Sequence, residues 1–525
     1  MIKKNAFYFD ERGAQGQDAA LGVRVDVKSK GKAFYLTTTL PYVNADLHIG
    51  HALEFVRADI IVRSKKLQGL DVFFNTGTDE HGMKIYEKAL SEGKSPQEFV
   101  DQSFLRFQES VKIFGMDKDL HFVRTTDPNH EKAVQEFWKR VYDNGYIYKK
   151  NYEAKYCVGC EENKSDFELV NNECPIHPGR PLEIIKEENY FFKYSEFGNK
   201  LTEFYKKNPH FVVPDFRFNE IKAFVQRGLQ DFSISRLKSK MPWGIPVPGD
   251  AEHVIYVWFD GLVGYISALG WPGVSPSPLP GEGWGEVKKE RGNLFEKYWV
   301  HGNPTQYCGK DNLKFQSAMW QAMLMAAGLP NSHQIIINGF ITADHGLKMS
   351  KTLGNVIDPK EIVKEYGTDA LRFFLAKEIS NFEDSPFTLE RFKNSYNANL
   401  ANGLGNLASR ILTMTENYLE GYAFRSVVVN PQFQDNNLDD FDIKKYMDKI
   451  WLKIQELDKM IQEKEPYKIF KTNPEEAKKI VGILCNELAS VANSLNPVMP
   501  ETSEKILACL SGYKKPETPL FPRKE

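Results

Sequence analysis

The sequence predicts an α/β fold, in which a parallel sheet carries an inserted metal-binding segment and is followed by a region of helices. Three observations indicate this architecture. A strand, a helix and a second strand follow one another within about forty residues near the start of the chain, and such a βαβ unit implies parallel strands. Cysteine and histidine residues within residues 151–235 have the spacing of a metal site. From about residue 391, apolar residues recur with a helical period.

The first βαβ unit is predicted from the order of apolar and breaking residues. Residues 33–39 are rich in aromatic and β-branched side chains, which is typical of a buried strand, and Pro41 ends it. Apolar residues then recur at helical spacing from about residue 47, and Gly69 ends that helix. Residues 72–74 are predicted as the second strand.

Later segments are predicted from the same patterns. Residues 254–259 and 335–337 are predicted as strands, and the Pro-, Gly- and Ser-rich residues 272–292 as a surface loop between them. One helix face near the end of the chain carries a run of apolar residues, Met447, Ile450, Ile454, Leu457 and Ile461. Pro466 ends that helix.

Length and composition limit the class of protein. The 525 residues suggest about three or four domains, and a hydrophobic fraction of 42% is too high for a disordered chain. The net charge of −2 excludes a globally basic polyanion binder, although a local basic face could still bind nucleic acid. We find neither a secretory signal nor an apolar run long enough to span a membrane, and six cysteines are few for a disulfide scaffold. We therefore expect a cytoplasmic protein.

Four potential metal ligands follow a recognisable spacing: Cys157, Cys160, Cys174 and His177. They form C-x2-C, thirteen residues, then C-x2-H. Three thiolates and one imidazole are the ligands of a closed tetrahedral zinc site. Because the protein fills all four positions, the predicted Zn²⁺ ion is structural, one per chain. The alternative is a reduced cysteine pair beside unrelated residues.

Two histidines stand at the start of the first predicted helix, in the segment His48-Ile49-Gly50-His51. A helix N-terminus presents unpaired N–H groups and positive partial charge, which suit phosphate. Residues three apart lie on one helix face, so both imidazoles could donate to the same phosphate. Gly50 lets a phosphate or a flat ring approach closely. Two surface histidines near a helix cap explain this tetrapeptide equally well by itself.

A basic motif, Lys348-Met349-Ser350-Lys351-Thr352, lies about 300 residues later. On its own, this segment would more often be a solvated charge pair. The sequence contains neither G-x-x-x-x-G-K-[ST] nor G-x-G-x-x-G after a strand. Together, the two motifs resemble the signature pair of class I aminoacyl-tRNA synthetases. Thr352 stands where that family most often has Ser, and it keeps the hydroxyl.

Flanking segments narrow the resemblance to the methionyl-tRNA synthetases. The similar segments are residues 40–45, 76–82, 233–236, 243–246, 256–260 and 309–311. The resemblance runs from about residue 33 to about residue 515. It implies a Rossmann-like parallel-sheet catalytic domain with an inserted zinc-binding domain, followed by an α-helical anticodon-binding bundle. It also implies a ligase that forms methionyl-adenylate from methionine and ATP, with Mg²⁺ accompanying ATP, and transfers the methionyl group to tRNA(Met).

The resemblance also assigns each segment a part. In chain order these are an N-terminal extension (1–32), the first half of the catalytic domain (33–150), the inserted connective domain (151–235), the second catalytic half (236–345), the KMSK loop with a stem-contact region (346–390) and the helical anticodon-binding domain (391–525).

Carried over position by position, the resemblance implies four groups of site residues. The catalytic residues would be His48, His51, Lys348 and Lys351. The same four would bind ATP together with Gly50, Arg236 and Asp311. Methionine would bind to Leu40, Tyr42, Asp79, Trp258, Tyr265, Gln316 and Trp320, with Asp79 holding the ammonium group. The anticodon would be read by Asn406, Arg410 and Tyr467.

Besides Thr352, three positions depart from the pattern of the family. Gln316 stands where many relatives have His, and Gly261 stands where many have Ala. Tyr467 occupies the place of a Trp that serves as a stacking platform, and Tyr can stack on a base with less area.

Two other functions stay open at this point. One is a synthetase-derived RNA-binding or regulatory protein without catalysis, and the two intact motifs argue against it. The other is a class I enzyme for another amino acid, but the leucyl, isoleucyl and valyl enzymes carry a large editing domain for which this chain has too little length. The expected partners are methionine, ATP and tRNA(Met), with no membrane. A monomer is expected, because the chain has no room for an appended oligonucleotide-binding domain.

Overall fold

The computed structural model describes residues 31–160, 162–164, 168–273, 293–343, 357–419 and 438–525. The described residues form two compact units. The larger unit runs to Leu371 and includes Ile379–Phe387, and the smaller unit contains Arg372–Glu378 and Thr388–Glu525. Several predictions lie outside the described residues: nearly all of the N-terminal extension, most of the loop 272–292, and the basic motif with Lys348 and Lys351.

The chain forms fifteen described strands. They are β1 (Ala33–Thr38), β2 (Asp71–Thr78), β3 (His121–Arg124), β4 (Ile147–Cys157), β5 (Glu162–Lys164), β6 (Glu183–Phe192), β7 (Val212–Val213), β8 (Phe232–Ser233), β9 (Ser235–Leu237), β10 (Pro246–Val247), β11 (Asp250–Ile255), β12 (Asn303–Gly309), β13 (Gln334–Asn338), β14 (Ile341–Thr342) and β15 (Ser385–Pro386).

The described part of the chain also forms sixteen α-helices. They are α1 (Ile49–Leu67), α2 (Met83–Ser91), α3 (Pro96–Ile113), α4 (Pro128–Asp143), α5 (Gly198–Lys207), α6 (Asp215–Gln226), α7 (Val257–Ser267), α8 (Trp320–Ala326), α9 (Pro359–Tyr366), α10 (Thr368–Lys377), α11 (Leu389–Ser395), α12 (Asn406–Tyr418), α13 (Ile443–Lys464), α14 (Pro466–Ile469), α15 (Pro474–Leu495) and α16 (Pro500–Gly512).

A six-stranded sheet in the order β3-β2-β1-β12-β13-β7 forms the centre of the larger unit. Every neighbouring pair in this sheet is parallel, which confirms the predicted parallel α/β fold. The chain adds β2 and β3 on one side of β1 and later adds β12 and β13 on the other. The strand order therefore reverses between β1 and β12. In open parallel sheets, ligands bind outside the carboxyl ends of the strands at such a reversal.

The predicted first helix is confirmed as α1, which contacts β1, β2 and β12. Its middle turns are buried almost continuously, so the helix lies in the core and not at its edge. Lys65 and Lys66 occupy its last turn, where positive charge complements the helix dipole. Gly69 follows with φ of 82°, a left-handed conformation that favours glycine and ends the helix.

The predicted strand at residues 254–259 is partly wrong. The strand β11 ends at Ile255, and Val257 begins the helix α7. β11 belongs to a separate three-stranded sheet in the order β10-β11-β9. α7 is buried on nearly every side, so its apolar residues do not alternate with polar ones. A short apolar run of this kind fits a buried strand and a buried helix equally well.

The predicted insertion at residues 151–235 contains most of a four-stranded antiparallel sheet in the order β5-β4-β6-β8, and β4 begins before it, at Ile147. It also contains β7, which pairs with β13 at the edge of the central sheet. The insertion therefore returns to the central sheet before its predicted end.

The smaller unit is helical, as predicted. α12 packs on α15, and α15 packs on α16 and α13. The five apolar residues predicted to share a face of α13 are all buried, which confirms the helical period. The helix ends at Lys464, Glu465 is left-handed, and Pro466 begins α14. Among the described helices, none is long and apolar enough to cross a membrane.

Candidate active site and metal site

His48 and His51 lie at the N-terminus of α1, at the carboxyl edge of the central sheet. His48 Nδ1 accepts a hydrogen bond from the Gly50 N–H at 3.0 Å, and His51 Nδ1 accepts one from the His48 N–H at 3.2 Å. Since each Nδ1 is an acceptor, each neutral ring carries its proton on Nε2. The ring centroids lie 3.9 Å apart. The structure thus brings two Nε2–H donors together at the positive end of a helix.

The local packing keeps His51 neutral and holds the pair in place. Burial lowers the pKa of His51 well below its usual value, and the neighbouring His48 lowers it further. A Cβ on Gly50 would lie 2.9 Å from Cε1 of His48. Any other residue at position 50 would therefore displace the His48 ring.

Glu54 is a buried carboxyl one turn after His51, and sequence reasoning missed it. Its Oε1 accepts from the Thr39 N–H at 2.8 Å and from the Thr39 hydroxyl at 2.6 Å, and the Gly309 N–H also donates to it. Burial raises the pKa of Glu54 to about 7, and the charge of Asp311 acts in the same direction. Its position three residues after His51, on the same helix face, was the available signal.

Asp311 stands at the same edge of the sheet, directly after β12. It lies in a short 3₁₀ turn, Lys310–Asn312, and a Cβ on Gly309 would lie 2.9 Å from Oδ1 of Asp311. Thr39 and Asp311 follow the two strands between which the sheet order reverses. The strand reversal therefore gathers the carboxyls of Glu54 and Asp311 at the sheet edge where α1 begins.

The segments after β1 and β2 come together around Asp79. Tyr42 and Asp79 form a parallel bridge, and the Asp79 N–H donates to the Pro41 carbonyl at 3.0 Å. Helix α7 approaches the same carboxylate, because a Cβ on Gly261 would lie 3.2 Å from Asp79 Oδ2. Leu40 packs against this helix as well, since a Cβ on Gly264 would lie 2.5 Å from its Cδ1.

Aromatic residues form an adjoining cluster. Gln316 Nε2 donates to the Tyr265 hydroxyl at 2.5 Å, and Tyr265 meets Trp320 edge to face with centroids 6.1 Å apart. Burial raises the pKa of Tyr265 well above its usual value, so its hydroxyl keeps its proton. Trp258 stacks on Phe315 with centroids 3.8 Å apart.

Several polar atoms of this cluster are buried without a hydrogen bond to any described residue. They are Nε1 of Trp258, Oε1 of Gln316 and Nε1 of Trp320. Buried polar groups are usually paired. These three atoms therefore keep unused hydrogen-bonding capacity within the aromatic cluster.

A buried network next to Asp79 was also missed. Asp260 is fully buried in the first turn of α7. It binds His81 Nδ1 and His130 Nε2, each at 2.7 Å, and His130 Nδ1 contacts the Ser267 hydroxyl at 2.8 Å. The two histidines hold the pKa of Asp260 below its usual range despite its burial, and Asp260 raises the pKa of His81. The network ties α7 and α4 to the segment that carries Asp79.

Arg236 lies in β9 and is nearly buried. Its Nη1 donates to the Ser235 carbonyl at 2.7 Å and to the Ser233 hydroxyl at 3.0 Å. Its guanidinium carbon lies 4.5 Å from the centroid of the Tyr256 ring. The described contacts thus place Arg236 beside the residue that precedes α7, and its contact with ATP stays a prediction.

The structure brings the four predicted metal ligands together. The ligand atoms of Cys157, Cys160, Cys174 and His177 all lie within 4.8 Å of one another. Cys160 Sγ is 3.5 Å from Cys174 Sγ and 3.4 Å from His177 Nδ1, which are the edges expected of a small tetrahedral site. This Cys3His cluster could hold one metal ion.

In the helical unit, Asn406 and Arg410 lie one turn apart on α12. Asn406 is exposed, whereas Arg410 forms an ion pair with Asp458 of α13. Asp458 also accepts from Gln462 Nε2 at 2.6 Å, and it lines a surface cleft of about 290 Å³. Tyr467 is 44% exposed, so it is not a core residue. Asp458, the partner of Arg410, was missed because it lies on another helix.

Comparisons with known proteins agree with this geometry. The family model described as tRNA synthetases class I (M) matches residues 34–412. A methionine–tRNA ligase of Caldanaerobacter subterraneus is 39% identical over 90% of this chain and 73% of its own length. That of a Nostoc species is 38% identical over 91% of this chain and 90% of its own.

A solved structure is also similar. Mycobacterium tuberculosis methionyl-tRNA synthetase in complex with methionyl-adenylate aligns with a TM-score of 0.82 and 31% identity, over 94% of this chain and 100% of that one. Three findings lead to one assignment. They are a parallel sheet with two histidine donors at its reversal, a family model that matches most of the chain, and relatives above 30% identity. This chain belongs to the methionyl-tRNA synthetases of class I.

Proposed function

We propose that this chain is a methionine–tRNA ligase, which forms methionyl-adenylate and pyrophosphate from methionine and ATP and then charges tRNA(Met). One observation carries the proposal. At the reversal between β1 and β12, phosphate donors at the start of α1 lie beside carboxyls suited to hydroxyl groups, and an aromatic pocket holds a carboxylate at its edge. The phosphate donors suit a triphosphate, and the carboxyls suit a ribose. The aromatic pocket with its carboxylate suits an amino acid with a long apolar side chain.

Adenylation needs no covalent nucleophile from the protein. The methionine carboxylate attacks the α-phosphorus of ATP, a new P–O bond forms, and the bond to pyrophosphate breaks. The residues of this chain orient the reactants and stabilise charge on phosphate. The Nε2–H groups of His48 and His51 donate to phosphate oxygens, and Lys348 and Lys351 add positive charge. Mg²⁺ bound with ATP would supply further charge neutralisation.

The amino acid and the ribose have separate sites in this proposal. Asp79 binds the ammonium group of methionine, while Leu40, Tyr42, Trp258 and Trp320 enclose the thioether. Aromatic faces and edges suit a polarizable sulfur.

The Tyr265 hydroxyl, held by Gln316, gives this pocket a polar contact. On the nucleotide side, the carboxyls of Glu54 and Asp311 accept hydrogen bonds from ribose hydroxyls. Arg236 would bind ATP from the side of β9.

Methionine-dependent ATP–pyrophosphate exchange tests the proposal. We expect exchange with methionine and at least ~100-fold less with leucine, isoleucine, valine or cysteine, since a pocket that matches one side chain loses several contacts with the others. Lys351→Ala should lower the exchange rate by ~100-fold or more with little change in methionine affinity, the loss expected for one electrostatic donor.

Lys206→Ala, which removes an exposed lysine on α5, is the matched control and should be silent. A chain that exchanges no amino acid would support the RNA-binding alternative, and a preference for another amino acid would support a different class I enzyme. Wild-type exchange in Lys351→Ala would remove Lys351 from the mechanism.

We further propose that the Cys3His cluster binds one structural Zn²⁺. Elemental analysis should find about one zinc per chain. The variant with Cys157→Ser and Cys160→Ser should contain none and should lower the thermal stability of the inserted sheet, because the metal contributes folding free energy. Cys509→Ser, at an isolated half-buried cysteine, should keep the zinc. Fully active wild-type protein without zinc would contradict this proposal.

Asn406, Arg410 and Tyr467 are proposed to read the anticodon. Adenylation needs no tRNA, so Arg410→Ala should keep near-normal exchange but lose at least ~10-fold in tRNA charging efficiency, equivalent to about 1.4 kcal/mol. Tyr467→Ala should behave alike if its ring stacks on a base, and Tyr467→Phe should be nearly silent. Lys505→Ala, at an exposed position of α16, serves as the control.

Two outcomes of the charging assay would contradict the proposed anticodon roles. Normal charging by Tyr467→Ala alone would remove the stacking role. Normal charging by both variants would mean that the anticodon is not read through these residues. The monomeric state and the cytoplasmic location stay predictions from the sequence.

A further inference from the structure

Arg57, on α1, is a completely buried arginine that the proposed reaction does not use. Its Nη2 donates to the Ile379 carbonyl at 2.7 Å. Its Nη1 donates to the carbonyls of Ser380 and Asn381 at 3.0 and 3.2 Å. One side chain therefore holds three consecutive backbone carbonyls of a segment more than 300 residues away in sequence.

Burying the Arg57 guanidinium costs free energy unless its N–H groups are held in hydrogen-bonding positions. A buried guanidinium loses its hydration, and the loss is offset only where its N–H groups are hydrogen-bonded. Removing the side chain would in turn leave two buried carbonyls, those of Ile379 and Asn381, and the part-buried carbonyl of Ser380 without these donors. Arg57 is thus suited to hold the backbone of residues 379–387, here called the brace segment, against α1.

The brace segment reaches the nucleotide side of the site. Asp384 Oδ1 accepts from the Phe340 N–H at 3.0 Å, and Asp384 Oδ2 pairs with Lys310 Nζ at 2.6 Å. Lys310 directly precedes Asp311. The brace segment therefore contacts both the residue before Asp311 and the chain that follows β13.

The fit between the brace segment and the end of β13 leaves no spare room. A Cβ on Gly339 would lie 2.2 Å from the Glu383 carbonyl oxygen, so the two backbones touch directly. β14 then pairs in parallel with β15 of the brace segment. A shift of the brace segment would therefore move Gly339, Phe340 and Lys310 together.

We propose that Arg57 is a positioning residue for ATP. Arg57 fixes the brace segment, and the brace segment in turn fixes Lys310, the residue before Asp311. Both therefore keep their position relative to the phosphate donors at the start of α1. Arg57 lies only six residues after His51, so one rigid helix sets both the phosphate end and the ribose end of the nucleotide site. This inference rests on the proposed ATP site, and it adds a residue that touches neither ATP nor methionine.

Calorimetric titration with ATP and with methionine tests the proposal, alongside exchange kinetics. Arg57→Met should weaken ATP binding by ~10-fold or more and raise the ATP KM to the same extent. Methionine affinity should change less than about twofold, since the brace segment contacts Lys310 and Phe340, which lie on the ATP side of the proposed site. Arg57→Lys keeps a cation that can hold part of the carbonyl set, and it should lose less.

Asp384→Asn provides a second variant that does not disturb the buried arginine. Its side chain is 41% exposed, and the change weakens the Lys310 pair while keeping a similar shape. Asp384→Asn, like Arg57→Met, should therefore weaken ATP binding. The double variant should be no worse than Arg57→Met alone, because residues in one chain of contacts are not additive.

Arg372→Met is the matched control. Arg372 is also fully buried and donates to the carbonyls of Val498 and Pro497 at 2.7 and 3.0 Å, but within the helical unit. It should lower the unfolding midpoint and leave both affinities unchanged.

Unchanged ATP affinity in Arg57→Met, or equal loss of ATP and methionine binding, would overturn the proposal. If Arg57→Met does not fold, unchanged ATP affinity in both Arg57→Lys and Asp384→Asn would overturn it instead. Absence of exchange in the wild-type chain would contradict the proposed function, whereas the ATP titration still tests Arg57.

Discussion

The docking of the α1 N-terminus at the carboxyl edges of β1 and β12 is the interaction on which the rest of the site depends. Parallel strands need crossover connections, and here the sheet extends from β1 toward β2 and from β12 toward β13, so a crevice opens beyond the carboxyl ends of β1 and β12. α1 starts beside this crevice and adds the positive end of its dipole and two imidazole donors. Glu54, buried one turn later, bonds to the segment that follows β1 and to Gly309 of β12. The helix and the two strands therefore fix one another.

Buried polar networks hold the remaining parts of the site. Asp260 with its two histidines ties α7 to the Asp79 segment. Glu80, the residue after Asp79, accepts a hydrogen bond from Arg124 Nε at 2.8 Å. Each group would be costly to bury alone, but paired and hydrogen-bonded it fixes one arrangement of the chain. The site is in this sense preorganised, and its donors need little movement before phosphate charge develops.

Sequence reasoning succeeded where a local pattern determines the structure. β1, α1, the apolar face of α13 and the Cys3His spacing all follow from residues close in sequence, and the structure confirms these elements. It failed at residues 254–259, because a fully buried helix loses the polar face that would distinguish it from a strand.

Other features could not be predicted because their partners are remote in sequence. Asp260 meets His81 across 179 positions, Arg57 meets Asn381 across 324, and Arg410 meets Asp458 across 48. No periodicity in the sequence encodes such pairs. The roles of the methionine and anticodon residues were implied by resemblance to a family, whereas the contacts that hold them appear only in the structure.

The two imidazoles at the start of α1 are expected to bind phosphate through their Nε2–H groups. ¹⁵N–¹H NMR of the histidine rings at pH 7, with and without a non-hydrolysable analogue of methionyl-adenylate, measures this binding. We expect His48 and His51 to be Nε2–H tautomers in both states and their Nε2–H resonances to shift on binding, while the exposed His301 does not respond. Doubly protonated rings, or Nε2–H resonances that do not move when the analogue binds, would contradict phosphate binding by these two histidines.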